Sequence, residues 1–156
     1  MRRKDRAVTD PARIKEIVEA CRVCRLGLND GGQVYIVPMN YGYAWEEEKL
    51  TLYFHCAPEG RRISILEKHP QAGFELDLCG EYTGEGDLPC AYSCRYASMI
   101  GSGTVEILSD PGEKLKGLGQ IMRHVTGREF AFTEQMEKGV AVLRMTAEQY
   151  TCKELR

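Results

Sequence analysis

Two alternating runs joined by a tight turn constrain this chain more than any other feature. In "CRLGLNDGGQVYIVPM", Cys24, Leu26 and Leu28 alternate with polar or small residues, as a half-buried strand requires. "NDGG" then reverses the chain, because Asn and Gly accept positive φ at low cost. The return strand begins near Gln33. Pro38 interrupts it, since proline cannot donate a ladder hydrogen bond, so an edge, a bulge or a departure from the sheet is expected there.

The same period recurs downstream. "WEEEK" reads as a turn, and "LTLYFH" as a third strand with Leu50, Leu52 and Phe54 on one face and Thr51, Tyr53 and His55 on the other. "QAGFELDLCG" is a fourth strand, with Phe74, Leu76 and Leu78 on one side. "EYTGEGDLPCAYSC" reads as a loop. "RYASMIGSGTVEILS" is a long strand, in which Gly101 and Gly103 predict a bend or bulge. "KGVAVLRMTAEQYTCKEL" supplies the last strand.

Helices are fewer. Asp10 and Pro11 fit the cap and first position of a helix carrying Ile14, Ile17, Val18 and Cys21 on one face. A short helix from about Arg61 to His69 turns Ile63 and Leu66 inward and stops at Pro70. Asp110 caps a third helix with a predicted stripe of Leu115, Leu118, Met122 and Val125. The order is helix, three strands, short helix, two strands, helix, strand. That favours an α+β fold, mainly β with flanking helices, built as a six-stranded antiparallel barrel. No strand–helix–strand rhythm or GxGxxG supports a Rossmann fold.

With 156 residues, 43% hydrophobic and 28% charged, the chain suits one globular domain over 1–156. A net charge of −2 provides no general field for nucleic acid. The charged start "MRRKDRAVTDP" is unlike a secretory signal and no stretch approaches a membrane span, so a cytoplasmic protein with reduced thiols is expected for its seven cysteines. "CRVC" has zinc-like spacing, but Cys21 ends a helical apolar stripe and Cys24 begins a strand stripe, as small core residues do, so no metal site is expected. Cys56 follows His55, yet neighbours on a strand point to opposite faces and do not pair.

One segment retains chemistry after this screening. In "LYFHCAPEGRRISIL" a strand leads through a short loop into a helix, and Gly60, Arg61 and Arg62 stand at the junction. Helix-start amides and two guanidiniums together suit a phosphate, and Gly60 permits close backbone approach. Most arginines are simply exposed, and spacing alone favours that plainer reading.

"CRLGL", "VYIVPMNYGY", "LYFHCAPEGRR", "SMIGSGTVEI" and "MRHVTG", together with the opening "MRRKDR", resemble the flavin-binding split-barrel superfamily that includes the pyridoxamine 5'-phosphate oxidases. Within it the nitroimidazole-resistance (Nim-type) proteins are most similar. The resemblance implies FMN as cofactor. Gly60, Arg61 and Arg62 match the oxidases' phosphate-holding Ser-Arg-Lys. Ile36, Val37, Pro38, Met39 and Asn40 match the strand along the isoalloxazine ring. Ser98 matches a polar residue reaching the flavin from the other subunit, which implies a homodimer with FMN at its interface.

His55 matches a Nim-type histidine beside the flavin; it could bond the cofactor, donate a proton in catalysis, or serve structure alone. Tyr41 and Tyr43 could floor a substrate pocket or simply pack. The oxidases' C-terminal tryptophan and arginine have no evident match, since the only tryptophan is Trp45, which argues against pyridoxamine phosphate as substrate. The implied activity is flavin-dependent reduction of a small organic molecule, with nitroimidazoles and other nitroaromatics as candidates. The alternative is a non-enzymatic flavin or haem carrier or sensor of the same fold.

Overall fold

The computed structural model describes residues 3–156. Met1 and Arg2, which open the "MRRKDR" block, lie outside the described residues. A short strand β1 (Ala7–Val8) precedes helix α1 (Pro11–Ala20). Asp10 caps α1 by accepting from the Ala12 amide at 3.0 Å, as its sequence predicts. Strands β2 (Cys24–Asp30), β3 (Gln33–Met39), β4 (Gly42–Glu46) and β5 (Lys49–Cys56) follow, then α2 (Arg61–Lys68). The chain continues with β6 (Gln71–Thr83), β7 (Ser93–Ile107), α3 (Pro111–Thr126), α4 (Glu134–Lys138) and β8 (Ala141–Leu155).

The strands form one antiparallel sheet in the order β3-β2-β6-β7-β8-β5-β4, with β1 pairing on β8. Among the described residues it has eight strands where the alternation predicted six. The additions are the two-residue β1 and β4, whose "GYAWE" has no clean period. Strands β3 and β4 stand at opposite ends of the sheet, yet only Asn40 and Tyr41 join them. The sheet must therefore curl until its ends approach, although no ladder pairs β3 with β4. Pro38 lies on β3, an edge strand, where a missing N–H is tolerated.

The inward face carries the predicted apolar sets: Cys24, Leu26 and Leu28; Leu50, Leu52 and Phe54; Phe74 and Leu76. Cys21 and Cys24 are both fully buried in this core. The expected irregularity in the long strand is real: the β7–β8 register shifts between Ser102 and Gly103. The predicted loop after Gly80 is present over residues 84–92, which include a short 3-10 turn at Pro89–Ala91, while its first three and last two residues extend the β6–β7 hairpin.

Helix α3 buries a different face from the one hydropathy predicts. Gly117, Leu118, Ile121 and His124 are buried, while Leu115 and Val125 are exposed. Backbone contact sets the rotation. A Cβ at Gly42 would lie 2.3 Å from the backbone of Gln120 and Ile121, so α3 rests directly on β4. One turn earlier, Gly117 lies against Tyr53 and Val142. His124 points inward because both ring nitrogens meet backbone carbonyls, Nδ1 at 2.7 Å from Tyr41 and Nε2 at 3.0 Å from Glu19. The short α4, which has no apolar period, is held by a buried ion pair of Glu137 with Lys114 at 2.5 Å.

Candidate functional site

The site is built where β5 ends. Leu50 to Phe54 are buried on both faces, because the sheet interior covers one side and α3 the other. That support fixes the direction of the strand's last residues. His55 points outward and is exposed; Cys56 points to the other face and is half-buried. Residues 57–60 then turn the chain into α2.

Gly60 caps α2 with φ 121° and ψ 178°, a conformation essentially reserved for glycine. The sequence suggested that glycine was there to make room. A Cβ at Gly60 would meet nothing within 4 Å, so the backbone angle by itself calls for glycine, and the space beside it is open, as a close approach would need. No side chain caps α2, and no acidic residue stands in its first turn. Its first amides thus face outward with the positive end of the helix dipole.

The two arginines differ in their surroundings. The guanidinium of Arg61 lies over the Tyr35 ring, 4.5 Å from its centroid, and Nε donates to Asp30 Oδ2 at 2.8 Å. Both partners come from the β2–β3 hairpin. Among the described residues no hydrogen-bond acceptor reaches the buried Nε of Arg62, a residue that is half-buried as a whole. A buried charged donor without an acceptor is costly, and an anion would relieve it. Arg61, Arg62, Gly60, Tyr35 and Cys56 line one cleft of about 170 Å3. Cys56, Tyr35 and Asp30 are additions to the site. The first could have been found from strand parity with Phe54; the others depend on hairpin packing.

The remaining candidates are dispersed within the chain. Along β3, Ile36 and Pro38 present side chains outward, while Val37 and Met39 point into the core. Asn40 donates its amide to the Arg22 carbonyl at 3.0 Å. Ser98 is half-buried on β7, paired with Asp77 and Lys153 in mid-sheet, and does not line the arginine cleft. His55 does not line it either. Tyr41 is 0% exposed, and its hydroxyl donates to the Val18 carbonyl at 2.6 Å, so it ties α1 to the β3–β4 connection and offers no surface to a ligand. Tyr43 lines a separate cleft of about 670 Å3 with Arg22, Trp45, Gln120 and Arg123.

The fold is thus of the mixed α/β class with one large antiparallel sheet, and the start of α2 beside it is basic and without a side-chain cap. The chain belongs to the Pyridoxamine 5'-phosphate oxidase family, whose pattern matches residues 10–154. No curated protein matches it. Among solved structures it is similar to a candidate 5-nitroimidazole antibiotic resistance protein from Bacteroides thetaiotaomicron. Identity is 32% and the TM-score 0.83, over 95% of this chain and 86% of that one. The flavocytochrome Anf3 from Azotobacter vinelandii shares the fold at 19% identity and TM-score 0.80, over 100% of this chain and 72% of that one. The FAD and heme binding protein from Mycobacterium smegmatis does so at 17% and 0.79, over 96% and 73%. Among the described residues no helix is long and apolar enough to cross a membrane.

Proposed function

We propose that the protein is an FMN-dependent oxidoreductase acting on a small organic substrate, with nitroaromatics of the nitroimidazole type as the first class to test. The observation that carries this reading is the unpaired, buried Nε of Arg62 beside the uncapped start of α2. That combination fits a dianionic phosphate monoester better than a neutral ligand. Family membership and the 32% identical relative support the choice of a flavin phosphate and of a nitro compound.

In this reading Arg62, the α2 amides and Arg61 hold the phosphate, and residues 36–40 run along the flavin ring. When bound, FMN would supply the acceptance and donation of electrons. The side chains of Ile36 and Pro38 would shield one edge of the ring from water. His55 stands beside Cys56 at the end of the strand that feeds the cleft, with its imidazole exposed, and would serve as a proton donor to the substrate. Ser98, which does not line the cleft in its own chain, would act from a second copy.

A homodimer that rolls the curled sheet into a split barrel pair accommodates this arrangement. Val34 (78% exposed), Ile36 (61%) and Ile100 (60%) lie on one uncovered sheet face, which is more apolar surface than strands facing water usually present.

The test is titration of the purified protein with FMN, followed by flavin fluorescence and absorbance. One FMN bound per chain, and nitroaromatic reduction that His55→Ala impairs without weakening FMN binding, support the reading. Unchanged FMN fluorescence contradicts it, and a Soret band from bound haem moves the protein to the carrier or sensor class.

A further inference from the structure

Beyond the arginine cleft, the most specific arrangement of reactive groups lies at the root of the extended β6–β7 hairpin. Cys79 on β6 and Cys94 on β7 bring their sulfurs to 3.6 Å. They are not directly opposite. Cys79 pairs with Tyr96, and Tyr82 pairs with Cys94, so β6 carries one extra residue between these two positions. That bulge turns the two thiols toward each other across the ladder. Cys79 is exposed and Cys94 half-buried, whereas Cys21, Cys24 and Cys152 are sealed in the core. Beyond the bulge the hairpin is largely exposed, with Glu81, Tyr82 and the 84–92 turn open to solvent.

We propose that Cys79 and Cys94 form a dithiol site that closes to a reversible intramolecular disulfide by exchange with a low-molecular-weight disulfide such as oxidised glutathione. The thiolate of one cysteine attacks a glutathione sulfur, forming a mixed disulfide and releasing one glutathione thiolate. The thiolate of the second cysteine attacks the protein sulfur of that mixed disulfide and releases the second. Two protein thiols are oxidised, one glutathione disulfide is reduced to two thiols, and the two protons pass to solvent or to the departing thiolates.

The geometry favours closure over a stable mixed disulfide, because the second thiol already sits against the first. An exposed disulfide on a hairpin is also accessible to reduction, the pattern of a labile bridge rather than a structural one. The Cys94 thiol is held above its ordinary range, first by lost hydration and then by its hydrogen bond to Cys79. The exchange is therefore best driven at about pH 8.5, where thiolate is more abundant.

The full-length protein is incubated with oxidised glutathione, quenched in acid, denatured and alkylated. The alkylatable thiols should fall by at least two from seven, since exposed Cys90 can also take a glutathione adduct, and a single peptide pair linking Cys79 to Cys94 should appear and vanish with dithiothreitol. Cys79→Ser and Cys94→Ser should each abolish the bridge and leave a glutathione adduct on the remaining cysteine, while Cys90→Ser should retain it. Both serine substitutions fall at accessible positions, and circular dichroism confirms their folding. Seven alkylatable thiols after oxidation, or a bridge running through Cys90, overturns the proposal.

Discussion

Arg61 and Asp30 are bound to each other across the tip of the first hairpin, through Nε and one terminal nitrogen, each 2.8 Å from Oδ2. The neighbouring Arg62 has its Nε buried and unpaired. The two arginines at one helix start are therefore unequal. Arg61 is ion-paired and held to β2, while Arg62 has no ion-pair partner among the described residues and, in the proposed reading, keeps its charge for a ligand. An exposed pair such as Arg61–Asp30 is worth about 0–1 kcal/mol, so an incoming phosphate can draw Arg61 away at little cost.

Replacing Asp30 should release Arg61. Asp30→Asn is expected to tighten FMN binding by roughly 2- to 5-fold at low salt, with the gain shrinking as salt is raised. Isothermal titration at two ionic strengths measures this. Weaker binding in the variant would show that Asp30 positions Arg61 for the ligand instead of competing with it.

Gly60→Ala isolates backbone conformation from crowding. The added methyl meets no neighbour, yet φ 121° is strained for any L-residue. The variant should lose about 1–3 kcal/mol in urea denaturation and bind FMN more weakly, because the α2 amides shift. Unchanged stability together with unchanged FMN affinity would mean that the helix start tolerates another conformation.

Tyr41 should matter for stability alone. Tyr41→Phe leaves the buried Val18 and Cys21 carbonyls without their hydroxyl donor, which costs about 1–3 kcal/mol. The KM for a nitroaromatic should stay within roughly 2-fold of the parent value. A large KM change with intact stability would restore Tyr41 to the substrate pocket.

Burial also sets an alkaline limit. Loss of hydration pushes the Cys21 thiol up to about 12 and Cys152 to about 11, and raises Cys24 as well. These thiols ionise near pH 8.5 once unfolded, so the folded state binds more protons above that pH. Their contribution is complete below about pH 8.5 and is lost progressively as pH rises toward the folded values, by about 1.4 kcal/mol per pH unit for each thiol. Urea denaturation between pH 8 and 10 reads the slope, and Cys152→Ala should reduce it. A flat profile contradicts the assignment.

How much of this was legible in the sequence follows from physics that acts locally. Alternation identified the inward faces of β2, β5 and β6, and "NDGG" marked the first hairpin, because strand parity and turn geometry are encoded within a few residues. Gly60-Arg61-Arg62 stood out at a strand–helix junction, but spacing alone favoured plain exposed charges, and its reading as a phosphate site came from the family resemblance. The face of α3 was not legible, because its burial rests on Gly117 and His124, which carry no hydropathy signal, and on contact with Gly42 some 80 residues earlier. Whether Tyr41 floors a pocket or packs was left open by the sequence, because its role depends on carbonyls in another element. The inequality of the two arginines was equally hidden, since Asp30 reaches Arg61 only after the hairpin packs on α2.

The most direct measurement compares FMN with riboflavin, which lacks the phosphate, on the parent protein and on Arg62→Ala. The account predicts roughly 10- to 100-fold weaker FMN binding in the variant, the equivalent of losing charge-assisted bonds worth about 1.5–3 kcal/mol, with riboflavin affinity changed less than 2-fold. Arg61→Ala should show the smaller loss of the two. Equal loss of both ligands in Arg62→Ala, or no loss of either, would contradict a phosphate held at the start of α2.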